Sequence, residues 1–124
     1  MKYTVTKEFR FEAAHSLPHL PNTHKCHGVH GHSYKVVVAC SKCQLDARGF
    51  VIDYAEISKA TDPLVAKLDH PGRLLEDIIN MKSTAENLGA WFFYKLKLKI
   101  PCLVYVEVYE TPKTCCRVEP LPTQ

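Results

Sequence analysis

The chain has 124 residues, 46% hydrophobic and 23% charged, with a formal net charge of +3. This is the size of a single domain, 1–124, and a near-average globular composition, which excludes disorder and collagen-like repeats. The charge is too mild to point to nucleic acid, and no apolar run approaches the roughly 18 residues of a membrane span. The N-terminus alternates polar and apolar residues without the apolar stretch of a secretory leader, so a cytoplasmic protein with reduced thiols is expected. Seven histidines and six cysteines suggest a metal, a thiol or both.

In chain order, residues 3–15 read as a strand: Tyr3, Val5, Phe9, Phe11, Ala13 and His15 share one parity, so His15 ends a mostly apolar face. Residues 16–29, with Pro18, Pro21, Asn22 and Gly28, read as a long loop of the kind that often carries function. A second strand is expected from about His30 to Cys40. Asp46-Ala-Arg-Gly49 is a turn signal, predicting a short return strand at Phe50-Val51-Ile52. Asp53, with Glu56 three residues on, can cap a helix through Ile57, Leu64 and Leu68, in which Pro63 should produce a kink or a restart. Ser83-Thr-Ala-Glu86 reads as the capping box of another helix, carrying Leu88, Trp91, Phe92 and Leu96 and closed by Pro101. Alternation over 102–110 predicts a strand, and a last short strand is expected at 114–118. Strands, then helices, then strands make an α+β fold: an antiparallel sheet with two helices packed on one face.

Four groups of residues carry candidate chemistry. In His30-Gly31-His32 the two imidazoles project from one strand face, with Gly31 removing bulk between them, and His15 should join them from the neighbouring strand. Three imidazoles with an open fourth position are the layout of a catalytic zinc, although ordinary strand-end histidines would give the same pattern. Cys26, four residues before His30 and next to Lys25, is either a thiolate acting as base or nucleophile, or a fourth zinc ligand. Those alternatives exclude each other. Asp69-His70 is either an acid–base pair or a histidine interacting with a helix C-terminus. Glu110 continues the parity of Val104, Val106 and Val108, where a carboxylate either is exposed or takes two adjacent N–H donors from a planar ligand such as a pterin or guanine edge. Cys40-Ser-Lys-Cys43 and Cys115-Cys116 could form a second, four-thiolate site, but lack matching spacing.

Phe11-Glu-Ala-Ala-His15, Cys26-His-Gly-Val-His-Gly-His32-Ser-Tyr34, Val51-Ile-Asp-Tyr54, Leu68-Asp-His70, Ser83-Thr-Ala-Glu-Asn87 and Val108-Tyr-Glu-Thr111 span nearly the whole chain. Together they resemble the 6-pyruvoyltetrahydropterin synthase superfamily. The C-x3-H-G-H spacing resembles its 6-carboxytetrahydropterin synthase branch, which serves queuosine and deazapurine biosynthesis. The resemblance implies zinc (Zn2+) on His15, His30 and His32, Cys26 as thiolate base, and Asp69 with His70 as the second acid–base element. It implies Glu110 as the pterin anchor, assisted by Thr84 and the backbone around Ala85. It further implies the tunnelling fold, in which sheets of several subunits close a barrel and trimers stack to a homohexamer with sites between subunits. The implied substrate is the small molecule 7,8-dihydroneopterin triphosphate, and no nucleic-acid or membrane partner is implied. A lyase of the carboxy branch would release acetaldehyde and triphosphate; the alternatives are the pyruvoyl reaction, which only eliminates triphosphate, and a non-enzymatic zinc-binding module. Two departures stand out: Leu68-Asp-His-Pro-Gly-Arg-Leu74-Leu75 alters the family's L-D-H-x-x-L-N, and Ala85 replaces a hydroxyl residue common in relatives.

Overall fold

Alternation of apolar and polar side chains builds the sheet. In the computed structural model, which describes residues 1–123, β1 (Tyr3–His15) pairs antiparallel with β2 (His30–Lys42) in unbroken register, from Tyr3 opposite Lys42 to His15 opposite His30. After the helices come β3 (Leu103–Thr111) and β4 (Thr114–Val118), and the sheet order is β1-β2-β3-β4 with every neighbour antiparallel. One face of each strand is apolar: Phe9, Phe11, Tyr34, Val36, Val38, Val106 and Val108 are buried in a single core. The helices α1 (Tyr54–Leu68), α2 (Leu75–Ile79) and α3 (Ala85–Lys97) cover that face, contributing Ile57, Leu68, Leu75, Leu88, Phe92 and Leu96. Each such side chain contributes about 1.5–3 kcal/mol when fully buried. Phe11 stacks on Tyr34 with ring centroids 4.8 Å apart, locking β1 against β2 just below His15. The opposite face carries polar and aromatic pairs, such as Lys35 over the Tyr109 ring at 4.0 Å and Arg117 bonded to Glu107 at 3.1 Å. The α+β expectation therefore holds, and among the described residues no helix is long and apolar enough to cross a membrane.

The departures from expectation lie between β2 and β3. Phe50–Ile52 forms no strand. The Asp46 carboxylate accepts from the N–H groups of Arg48 and Phe50, and the Asp46 N–H donates to the Phe50 carbonyl at 2.9 Å. Backbone groups that a ladder would need are thus tied to the turn, while Val51 plugs into the core. Helix α1 starts as expected, with the Asp53 side chain accepting from Ala55 N–H, but it runs through Pro63 without restarting. Lys59 and Pro63 are both exposed, so solvent can take the carbonyl that the proline ring leaves unbonded. Helix α2 was not anticipated; it buries Leu75 and Ile79, one turn apart, and ends at Asn80 in the left-handed region. Helix α3 begins one residue later than the capping box suggested: Thr84 is the cap and accepts from Asn87 N–H, while Ser83 turns inward and is buried. The helix ends at Lys97, short of Pro101.

Gly89 marks the closest approach of α3 to the sheet, because a Cβ there would lie 2.6 Å from Val118 Cγ2. Gly89→Ala gains about 1 kcal/mol of helix propensity, but overpacking against a branched side chain costs about 1–3 kcal/mol. The expected outcome is a melting temperature lower by several degrees in thermal circular dichroism. An unchanged or higher value would contradict this packing of α3 on β4.

Candidate active site

The register of β1 on β2 sets His15 opposite His30, and alternation sets His32 on the same face. The rings meet edge to face, with centroids 4.5 Å (His15–His30), 5.1 Å (His15–His32) and 4.9 Å (His30–His32) apart. One ligating nitrogen from each ring lies within 4.8 Å of the others. Gly31 faces the other side, where a Cβ would meet only the Ala13 carbonyl at 3.5 Å, so alternation rather than missing bulk brings the imidazoles together.

Hydrogen bonds fix two of the tautomers. His15 is fully buried and its Nδ1–H donates to the Ser83 carbonyl at 2.8 Å; His30 Nδ1–H donates to the Gly28 carbonyl at 2.7 Å. A carbonyl only accepts, so Nδ1 carries the proton in both rings and Nε2 is left with its lone pair. Among the described residues, the Nε2 atoms of His15 and His32 are buried without any hydrogen-bond partner. Leaving such an atom unsatisfied costs about 1–3 kcal/mol, and second-shell carbonyls holding Nδ1–H are the usual support of a metal-binding imidazole. This donor set fits a divalent cation, with nitrogens that suit zinc. Cys26 is not among the grouped ligand atoms; it sits half-buried in the 16–29 loop, its N–H donating to His24 Nδ1 and its carbonyl accepting from Leu17.

Glu110 reaches the same space from β3. Its carboxylate lies 3.4 Å from His32 Nε2 and 3.9 Å from His15 Nε2, and it is half-buried rather than solvated at a strand end. Burial, together with the fields of His15 and His30, holds the His32 pKa below its ordinary value despite the opposing pull of Glu110. A cleft of about 190 Å³ joins Glu110 to Ala85 and Glu86 at the start of α3 and to Thr114, Cys115 and Cys116 on β4. Thr84 uses its hydroxyl to cap α3.

Asp69 and His70 lie elsewhere, at the outer edge of β1. The Asp69 carboxylate accepts from Glu12 N–H at 2.9 Å, and His70 N–H donates to the Glu12 carbonyl at 2.8 Å. The two side chains bond each other at 2.9 Å, with His70 in the left-handed region at φ 46°. The Glu12 N–H, aided by His70, holds the Asp69 carboxyl below its usual range. Among the described residues no hydrogen bond or ion pair links this dyad to the histidines or to Cys26. A larger cavity of about 740 Å³ runs along the edge, with Glu12, Ala14 and His32 on one side and His70, Gly72 and Arg73 on the other. The four-thiolate alternative fails: among the described residues Cys40, Cys43, Cys115 and Cys116 make no metal-binding group, and β3 lies between β2, which carries Cys40, and β4, which carries Cys115 and Cys116.

Three contributors escaped the sequence reading. Ser83 looked like a helix cap but supplies the acceptor for His15. Glu76 lies just past the altered stretch that ends at Leu75, and bonds Ser16 and Ser83. Tyr34, packed beneath His32 and His15 at 5.4 and 5.9 Å, keeps its hydroxyl buried without a partner, and burial pushes its pKa well up. Only the parity of Tyr34 with His32 was a visible signal.

The depressed pKa of His32 has a sign that can be tested. The unfolded chain takes up a proton there near the ordinary imidazole value of 6.5, and the folded state resists it. Its contribution to stability is therefore complete above 6.5 and lost as pH falls below that value toward the lowered folded pKa. Metal-free protein should lose melting temperature from about pH 7.5 to about 5.5, and His32→Asn should flatten that slope. Parallel slopes in the two proteins would contradict the assignment.

Comparison with known proteins converges on the same elements. The sequence model described as 6-pyruvoyl tetrahydropterin synthase matches residues 4–120. The chain is 39% identical over 122 residues to a 6-carboxy-5,6,7,8-tetrahydropterin synthase of Synechocystis sp., covering 93% of this chain and 92% of that protein. A protein of the same name from Aquifex aeolicus is 29% identical over 108 residues, covering 73% and 65%. Among solved structures, the 6-pyruvoyl tetrahydropterin synthase of Caenorhabditis elegans superposes with a TM-score of 0.84 at 27% identity, covering 98% of this chain and 97% of that one. With sequence and fold agreeing over almost its full length, the chain belongs to the 6-pyruvoyl tetrahydropterin synthase family of enzymes.

Proposed function

We propose that the chain is a zinc-dependent 6-carboxytetrahydropterin synthase. It converts 7,8-dihydroneopterin triphosphate and water to 6-carboxy-5,6,7,8-tetrahydropterin, acetaldehyde and triphosphate, in the cytoplasm and on the route to queuosine and related deazapurines. The observation that carries the proposal is the imidazole cluster: three ring nitrogens gathered within 4.8 Å, two tautomers locked by carbonyls, and no thiolate among them. That arrangement favours an open, catalytic site over a closed structural one. The choice of branch is supported by the C-x3-H-G-H spacing and by the 39% identical relative that carries the carboxy name.

In this reading His15, His30 and His32 hold the metal, which would act as a Lewis acid on the two side-chain hydroxyls of the substrate. Glu110 accepts two adjacent N–H groups of the pterin edge, with Thr84 and the Ala85 backbone beside it. Keeping Cys26 off the metal leaves its thiolate free to remove a side-chain proton. Asp69 holds His70 Nδ1–H, which directs Nε2 outward to return a proton at another carbon. The dyad is exposed beside the edge strand β1, which suits it to complete a site on a neighbouring subunit. Both β1 and β4 are sheet edges, so closure of sheets between subunits, as trimers and a hexamer of two trimers, would satisfy their backbone groups.

Mass spectrometry of products from dihydroneopterin triphosphate tests the reaction. The carboxy product with acetaldehyde is expected; a pyruvoyl product with triphosphate would overturn the branch. His30→Ala should lose zinc and turnover together, and full zinc occupancy in that variant would count against the ligand set. Cys26→Ala should stay folded and zinc-loaded yet lose about 10²–10⁴-fold in rate. A zinc-depleted, unstable Cys26→Ala would instead make the cysteine a ligand. Sedimentation at micromolar concentration should give a trimer or hexamer, and a monomer would sink the shared-site arrangement.

A further inference from the structure

Glu76, in the first turn of α2, makes more contacts around His15 than any role in closing a loop requires. Its carboxylate accepts from Ser16 N–H at 3.0 Å, from the Ser16 hydroxyl at 2.5 Å and from the Ser83 hydroxyl at 3.1 Å. Ser16 is the residue after His15, and Ser83 supplies the carbonyl that takes His15 Nδ1–H at 2.8 Å. One side chain therefore fixes both the backbone that carries the imidazole and the acceptor that orients it. The Ser83 hydroxyl also lies 3.2 Å from His15 Nδ1, where it accepts while giving its own proton to Glu76. Three donors and no acceptor face the carboxylate, which matches an ionised group. Its anchorage is rigid, since the neighbouring Leu75 and the α2 terminus at Ile79 are 0% and 4% exposed, and Ser83 itself is 0% exposed.

We propose that Glu76, through Ser16 and Ser83, is a positioning residue that holds His15 Nε2 ready for the metal. The inference rests on the zinc reading given above and extends it to a side chain of α2. A mere loop clamp would stabilise metal-free and metal-loaded protein equally and leave metal affinity unchanged. A positioning brace differs: without it the metal must also order His15, so affinity falls.

The test compares Glu76→Gln and Ser83→Ala with the unmodified protein, using competition for zinc against a chromophoric chelator, the visible absorption of the cobalt-substituted protein, and metal-free melting temperature. Glu76→Gln should weaken zinc binding about 10–100-fold, the usual cost of losing a second-shell partner, and shift the cobalt bands. Ser83→Ala keeps the carbonyl and should weaken zinc binding by about tenfold or less. The double variant should lose less than the sum of the two single losses, because the Ser83 hydroxyl and the carboxylate belong to one network. Should Glu76→Gln fail to fold, Ser83→Ala decides on the same affinity and spectrum. Folded variants with unchanged affinity and an unshifted cobalt spectrum would overturn the brace while leaving the zinc reading intact. An unmodified protein that binds no zinc would overturn the zinc reading, and the brace with it.

Discussion

The site depends on one constraint, the unshifted register between β1 and β2. A slip of one residue would move every side chain of β1 to the opposite face. Phe9 and Phe11 would leave the core, and His15 would leave His30. The same parity therefore serves stability and chemistry: the energy that buries Phe11 against Tyr34 also holds His15 beside His30 and His32. Register shifts lie in the other pairings, at Ala39/Cys40 and at Tyr109/Thr111, the second bracketing Glu110.

Burial of His15 at the end of an apolar strand creates the second constraint. A fully buried imidazole needs a partner for its N–H, and the Ser83 carbonyl meets that need just before α3. The chain cannot begin α3 at Ser83 and also turn that residue inward, so the cap passes to Thr84. Local helix chemistry thus gives way to a tertiary requirement by one residue. What remains around the cluster is a half-dry space rich in lone pairs, with Glu110 at 3.4 Å from His32 and the Tyr34 hydroxyl unpartnered below. A positive centre among the three imidazoles and Glu110 would satisfy their lone pairs together, and neutral imidazoles are the form that can bind it.

The Asp69–His70 dyad follows a different logic. It uses β1's outer backbone edge at Glu12, where it substitutes for a ladder partner over one residue, and it leaves its side chains outside the core. The dyad thus borders the same edge cavity as His32 while its own hydrogen bonds go to the Glu12 backbone.

Much of this was legible in the amino-acid order. Period-two alternation is a local property, so the strands at 3–15 and from 30 onward, the shared face of His15, His30 and His32, and the apolar parity ending at Glu110 could all be read directly. So could the Asp53 cap and the α+β order. What only the tertiary structure decided were features that turn on which distant residue sits opposite: the inward turn of Ser83, the bonding of Glu76 to Ser16 and Ser83, the loss of a strand at Phe50 to the Asp46 turn, and the anchoring of Asp69 and His70 on the Glu12 backbone. Propensity sets a residue's local options at a fraction of a kilocalorie to about 1 kcal/mol, whereas a buried polar group without a partner costs about 1–3 kcal/mol, so the partner chosen by the fold prevails.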